Sequence, residues 1–283
     1  MGEGSSWEME GLNNQFDTNN IACRSGRLKV CVIGAGNVAG HLAPALAKVA
    51  DVVQVVSRTG ISGSALRDRI GAGCEAITDL EQLTRNADLY LISATDDSVA
   101  SIVAHSADFG GVWVHTSGSV PASVFAGKRA RYGVLYPLQT FTRNVDVNMS
   151  RVPFFVEGND EATTEFLREV ALKISNVVEI ADSERRKKLH LAAVFACNFA
   201  NQMWVEADSI LREIGLSINY LMPLLQVTLS KLDAVTPRDA MTGPARRGDL
   251  AVIEAQREQL SGTQQAIYTM LSNRILSEFD HSK

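Results

Sequence analysis

Short apolar runs alternate with amphipathic stretches over roughly the first two thirds of the chain. Runs at residues 30–33, 52–59, 74–78, 87–93, 112–115 and 132–136 have the length and composition of buried strands. Residues 38–49, 64–70, 79–86, 96–105 and 161–174 instead place apolar residues at the spacing of one helix face. Pro44 falls inside the first of these and is expected to kink it or end its first turn. Such alternation predicts a parallel, doubly wound sheet, extended by residues 152–157 and 176–181.

The pattern changes at Ser183, and no strand is expected beyond it. Helical periodicity runs to Ile214, with Ser183 as the candidate N-cap and Gly215 as the stop. Residues 218–235, 250–260 and 264–279 read as further helices, and residues 242–249 as a loop dense in turn formers.

Between the first strand and the first helix stands Gly34-Ala-Gly36-Asn37-Val38-Ala39. This is a dinucleotide fingerprint with alanine in its third small position. Gly34 allows a sharp turn. Gly36 has no Cβ to hold off a pyrophosphate, and Ala39 lets the helix pack on the strand. Phosphates would rest on the unpaired N–H groups of the helix start at Asn37 and Val38. Tight turns also use glycine for structural reasons alone; the strand before and the helix after favour the ligand reading. The fold class is therefore α/β, a doubly wound parallel Rossmann-like sheet over residues 27–181 followed by an all-α domain over residues 182–283. Residues 1–26 are polar and read as a flexible tail without assigned function.

The end of the second strand, Ser57-Arg58-Thr59, bears on which dinucleotide binds. NAD sites carry a carboxylate there for the ribose 2′-hydroxyl, and that carboxylate would repel a 2′-phosphate. One guanidinium and two hydroxyls suit the phosphate of NADP(H) and favour it over NAD; the bland alternative is that Arg58 is a solvated loop charge. Ala94 and Thr95 follow the strand at 87–93, on the edge where open sheets hold ligands. Helix capping by Asp96, Asp97 or Ser98 explains the polar residues there as well.

Composition adds exclusions. With 46 % hydrophobic and 21 % charged residues the chain is ordinary for a globular protein, and a net charge of −5 gives no reason to expect nucleic acid or an anionic membrane. Cys23, Cys31, Cys74 and Cys197 are scattered, which disfavours a metal site or disulfide framework and fits a cytoplasmic location. No run is apolar enough to span a bilayer, and residues 1–26 lack the pattern of a signal peptide.

Five segments carry a family resemblance: Gly34-Ala-Gly-Asn-Val-Ala-Gly40, His115-Thr-Ser-Gly-Ser119, Tyr136-Pro-Leu-Gln-Thr-Phe141, His190-Leu-Ala-Ala-Val-Phe-Ala-Cys-Asn-Phe199 and Thr242-Gly-Pro-Ala-Arg-Arg-Gly-Asp249. With them the chain resembles the short bacterial Rossmann-like NADP oxidoreductases that carry an uncharacterised helical C-terminal domain. The resemblance runs from about Arg27 to Phe279. It implies a 6-phosphogluconate dehydrogenase-like helical domain, an NADP(H) site and a homodimer, but no particular substrate. β-Hydroxyacid dehydrogenases of that wider group place a lysine one turn before a helical asparagine. If Asn198 is that asparagine, Val194 stands where the lysine belongs, and Lys187 and Lys188 lie roughly three turns upstream.

Candidate chemistry then falls on few residues. His190, Cys197 and Asn201 lie near one stripe of the long helix, with Asn198 beside it, in an otherwise apolar stretch. Such polar groups should be buried and partnered. They either hold a neighbouring domain or subunit, or serve as a general acid (His190) and a substrate-orienting amide (Asn198). His115 and Ser117 occupy the edge where hydroxyacid dehydrogenases carry a substrate-binding Ser-Gly pair, or else form a satisfied core histidine and a turn. Gln139 and Thr140 are candidates to face the nicotinamide, and Arg246 and Arg247 either hold an acidic substrate or are solvated. The expected function is hydride transfer between NADP(H) and a small carbonyl or imine substrate. The alternative is a noncatalytic NADP(H)-binding sensor. The apolar stretch at residues 221–229 fits a homodimer contact.

Overall fold

A computed structural model describes residues 26–279. The tail expected at residues 1–26 lies, except for Gly26, outside the described residues. Eight strands form one sheet: β1 (Lys29–Ile33), β2 (Asp51–Val56), β3 (Glu75–Ile77), β4 (Leu89–Ile92), β5 (Val112–His115), β6 (Tyr132–Pro137), β7 (Phe154–Gly158) and β8 (Val178–Ile180). Their order across the sheet is β3-β2-β1-β4-β5-β6-β7-β8. Neighbours are parallel except β6 and β7, which are antiparallel. The sheet is thus not parallel throughout. A parallel return needs a crossover, usually a helix. The link from β6 to β7 contains a single 3₁₀ turn, Met149–Arg151, so the chain runs straight back.

Helices α1 (Asn37–Ala47), α2 (Gly60–Ile70), α3 (Asp96–His105) and α4 (Glu161–Leu172) cover the sheet. Strand residues divide by parity, as a period of two requires. Val30, Val32, Leu89, Leu91, Val112 and Val114 join one core with Leu42 and Leu46 of α1 and Leu167 of α4. Cys31, Ile33, Tyr90, Ile92 and Trp113 join a second core with Val99 and Val103 of α3. Both faces are buried, which is why these strands read as unbroken apolar runs.

Local details differ from expectation. α1 continues through Pro44 to Ala47, giving up only the bond that an N–H at Pro44 would make to Gly40. The stretch at 79–86 forms only a 3₁₀ turn, Leu80–Gln82, with Asp79 as its cap. Thr95, not Asp96, Asp97 or Ser98, is the N-cap of α3, and its hydroxyl lies 2.8 Å from that of Ser98.

The chain divides into two compact units, one up to Ala193 and one from Val194 onward. Helix α5 (Ser183–Ala193), the first of the helical region, goes with the sheet. Asp182 rather than Ser183 caps it, accepting the Arg185 N–H at 2.7 Å. The second unit comprises a π-helical turn (Val194–Phe199), α6 (Ala200–Glu213), α7 (Met222–Ser230), α8 (Pro244–Arg247), α9 (Leu250–Arg257) and α10 (Gly262–Glu278), with no strand among its described residues. Gly215 follows α6 at a φ of 73°, a left-handed stop that glycine adopts without steric cost. α8 forms inside the stretch expected to be loop.

Candidate functional site

β1 ends in mid-sheet, flanked by β2 and β4, where the direction of strand succession reverses. Open α/β sheets hold ligands at such a switch point because the two following helices diverge there. Gly34 turns the chain at a φ of 117°, and a Cβ at Gly34 would strike the Ser93 carbonyl oxygen. Both the backbone angle and the space therefore demand glycine. At Gly36 a Cβ would meet nothing within 4 Å; it would instead occupy the cleft that Gly36 lines. Gly36 is also the N-cap of α1, and this helix start has no side-chain cap and no acidic residue in its first turn. Its unpaired N–H groups are left for an outside anion.

The cleft has a volume of about 1100 Å³. Gly34, Gly36, Asn37 and Val38 form one side. Ser57, Arg58 and Thr59 enter from the end of β2, and Ala94 and Thr95 from the end of β4. Arg58 and Thr59 are exposed, Ser57 is buried, and among the described residues no carboxylate pairs with Arg58. The lining also includes Asp79 and Glu81, and the Asp79 carboxylate accepts the Glu81 N–H at 2.9 Å. These features fit a dinucleotide: an open helix start for the pyrophosphate and an unpaired guanidinium at the ribose end.

A second group of side chains gathers at the ends of β5 and β6. His115 is fully buried and stacks on Phe125 at 5.8 Å between centroids. Its Nδ1 accepts the Ser117 N–H at 3.2 Å. Burial, reinforced by the positive charge of Arg186, pushes its pKa down to about 4. The Ser117 hydroxyl accepts the N–H groups of Ser119 and Val120, each at 3.0 Å, and so closes its own turn. Arg186 of α5 is buried and pairs with Glu157 of β7. It also donates to the Val120 carbonyl at 2.6 Å. One helical turn on, the His190 ring lies over Gly118, where a Cβ would come within 2.6 Å of it. His190 Nδ1 is 2.9 Å from the Tyr136 hydroxyl. Burial pushes Tyr136 up to about 12, with Arg186 opposing and Asp96 adding to the shift.

The structure thus brings His190 to the Ser117-Gly118 turn and sets His115 behind that turn. Asn198 and Cys197 lie in the second unit and are exposed in the single chain. By itself this unit encloses little: Ala245 and Phe279 are its buried apolar residues among those described. Gln139 folds onto its own loop, its Oε1 accepting the Thr140 N–H at 2.8 Å. Two residues further, Phe141 stacks on His41 of α1 at 5.1 Å. Arg186 was absent from the sequence reading, and Tyr136 and Gly118 entered it only within the segments Tyr136–Phe141 and His115–Ser119, without roles of their own. Arg186 sits in the polar run Ser183-Glu-Arg-Arg-Lys-Lys188, which resembles a solvated helix start. Its i, i+4 relation to His190 was the available signal.

Residues 13–138 match the family model of a Rossmann-like domain, and residues 152–275 match that of a domain of unknown function, DUF2520. A solved Bacteroides fragilis protein, described as a putative NADP oxidoreductase, is 38 % identical over 89 % of this chain and 98 % of its own, with a TM-score of 0.82. The chain belongs to this Rossmann–DUF2520 family. Two other solved structures extend the family's fold relations. A Thermotoga maritima protein is 23 % identical over 89 % of this chain and 98 % of its own, with a TM-score of 0.65. A reductive aminase from Aspergillus terreus, in complex with NADPH and ethyl levulinate, is 18 % identical over 89 % of this chain and 94 % of its own, with a TM-score of 0.67. At these identities the likeness is one of fold. No curated protein matches the chain in sequence.

Proposed function

We propose that this member of the Rossmann–DUF2520 family is an NADP(H)-dependent oxidoreductase acting on a small carbonyl or imine compound. The observation that carries the reading is the cleft at the switch point. There an uncapped helix start beside Gly36 meets Arg58, which has no carboxylate partner among the described residues. The Bacteroides relative described as a putative NADP oxidoreductase and the fold shared with an NADPH-bound reductive aminase support it. When bound, the dinucleotide supplies the hydride chemistry. The N–H groups at Asn37 and Val38 would hold its pyrophosphate, and Arg58 with Ser57 and Thr59 would hold the 2′-phosphate. Ala94 and Thr95, after β4, would also line the bound cofactor. His190 supplies or removes the proton at the substrate heteroatom through Nε2, the ring nitrogen not engaged by Tyr136. His115 and Ser117 in this reading shape the turn beneath it.

Calorimetry with NADPH and NADH, followed by NADPH oxidation across a panel of ketones and imines, tests the proposal. NADPH should bind more tightly, and some member of the panel should be turned over. His190→Ala should lower turnover by roughly 10²–10⁴-fold, the usual worth of a general acid, with NADPH affinity unchanged. Absence of dinucleotide binding would overturn the whole reading. Binding without turnover would favour the sensor alternative, for which Val194 at the lysine position speaks.

The same reading includes a homodimer built through the second unit. Phe195, Leu224, Val227, Leu229 and Leu250 are each more than half exposed, an excess of apolar surface that partner subunits commonly cover. Among the described residues Cys31, Cys74 and Cys197 are free thiols, in keeping with a reducing compartment such as the cytoplasm. No helix among the described residues is long and apolar enough to cross a membrane.

A further inference from the structure

We infer that Tyr136 and Gly118 form a seat for the His190 imidazole, with Tyr136 as the positioning residue that holds Nδ1 and leaves Nε2 for the substrate. The inference rests on the proposed role of His190 and adds the residues through which that role is set up.

Three observations support the seat. First, the Tyr136 hydroxyl and His190 Nδ1 are 2.9 Å apart, with the two rings edge to face at 5.9 Å between centroids. The edge-to-face arrangement directs the hydroxyl at one ring nitrogen, so the rotation of the imidazole is specified and not merely its location. Second, the floor of the seat is backbone. A Cβ at Gly118 would stand 2.6 Å from both Cγ and Nδ1 of His190 and 2.8 Å from its Cβ. Gly118 has no positive φ, so glycine is required here by space and not by backbone conformation. Third, the seat is braced from both sides. Ser117 Oγ ties the turn through Ser119 and Val120, and Arg186, one turn before His190 on α5, holds the same turn at the Val120 carbonyl.

Tyr136 itself is a poor proton source. It is buried beside Ala122 and Val134 and keeps its proton well above neutrality. A phenolic hydroxyl nonetheless serves Nδ1 in both states of the ring. Its oxygen accepts the Nδ1–H of the imidazolium, and accepts it still from the neutral ring left when Nε2 gives up its proton. A phenylalanine in its place would fill the space but accept nothing. The seat therefore keeps His190 in one orientation while its Nε2 gains or loses a proton. Nothing in that role requires Tyr136 to touch the substrate.

The test begins on unloaded protein labelled with nitrogen-15, the His190 ring signals being assigned by their loss in His190→Ala. Tyr136→Phe should move the His190 Nδ1 resonance while the thermal unfolding midpoint stays near that of the parent protein. Gly118→Ala should move the same resonance by pushing the ring out, and it serves alone if Tyr136→Phe does not fold. With substrate from the panel, Tyr136→Phe should lower kcat by roughly 2- to 10-fold, the worth of one hydrogen bond, and leave the NADPH dissociation constant unchanged. An Nδ1 resonance identical to that of the parent in a folded Tyr136→Phe or Gly118→Ala protein would overturn the seat. Should the resonance move as expected while His190→Ala keeps full turnover, the seat stands and the proposed role of His190 falls.

Discussion

Arg186 donates a 2.6 Å hydrogen bond to the carbonyl of Val120, and its guanidinium also pairs with Glu157. A fully buried charge thereby ties α5 to β7 and to the turn beneath His190. Burying a guanidinium is costly unless it is paired and hydrogen-bonded. Removing it leaves Glu157 with the Ser183 hydroxyl in place of a charged partner and takes a donor from the Val120 carbonyl. Arg186→Met should destabilise the protein by about 3 kcal/mol, the low end for breaking a buried pair because Glu157 is partly exposed. Adding Glu157→Leu should recover part of that loss. Urea unfolding of the two variants checks both statements.

Cofactor choice should follow Arg58. Its guanidinium stands at the end of β2 with no acidic side chain beside it in that strand end. Arg58→Ala should weaken NADPH by about 1.5–3 kcal/mol, the worth of a hydrogen bond to a charged group, and leave NADH nearly unchanged. Equal losses for the two cofactors in calorimetry would refute the assignment.

His115 should give the fold a pH-dependent stability. Its pKa falls from an ordinary 6.5 to about 4 on folding, chiefly through burial. The unfolded chain therefore binds the proton more readily. The stabilisation is complete above pH 6.5 and is lost as the pH falls towards 4, on the order of 3 kcal/mol in all. Carboxylates titrate in the same window, so the contrast with a variant is decisive. His115→Asn retains an acceptor for the Ser117 N–H but no titratable ring. Its unfolding free energy should fall less steeply than that of the parent between those pH values.

The second unit should pair with another copy. Leu224 and Val227 lie three residues apart on one side of α7 and are 61 % and 53 % exposed. Light scattering should give a dimer mass at micromolar concentration. Leu224→Lys together with Val227→Asp should shift it towards the monomer, because charges would have to be buried without partners.

Val30–Ile33 and Leu89–Ile92 were legible as strands because they are apolar on both faces, and only a sheet covered on both sides buries such a run. Gly34, Gly36 and Ser57-Arg58-Thr59 were legible as one cleft because they are local to strand ends. The βα connection places consecutive strand ends on the same edge of a parallel sheet. The reversal of β7 was not legible, since no apolar pattern records strand direction and only the helix-free link after β6 decides it.

The order of elements, the parity of the strands and the glycine turn were all written along the chain, because each follows from chemistry within a few neighbouring residues. What surrounds each histidine came only from the tertiary structure. Along the chain His190 read as a general acid or an interface residue, and His115 as a neighbour of a substrate-binding Ser-Gly pair or a core histidine; in the fold His115 is sealed under Phe125, and His190 lies on Gly118 beside Tyr136. Tyr136 and His190 are 54 residues apart in sequence. Only the packing of α5 against the ends of β5 and β6, held by the buried charge of Arg186, brings their polar atoms within hydrogen-bonding distance.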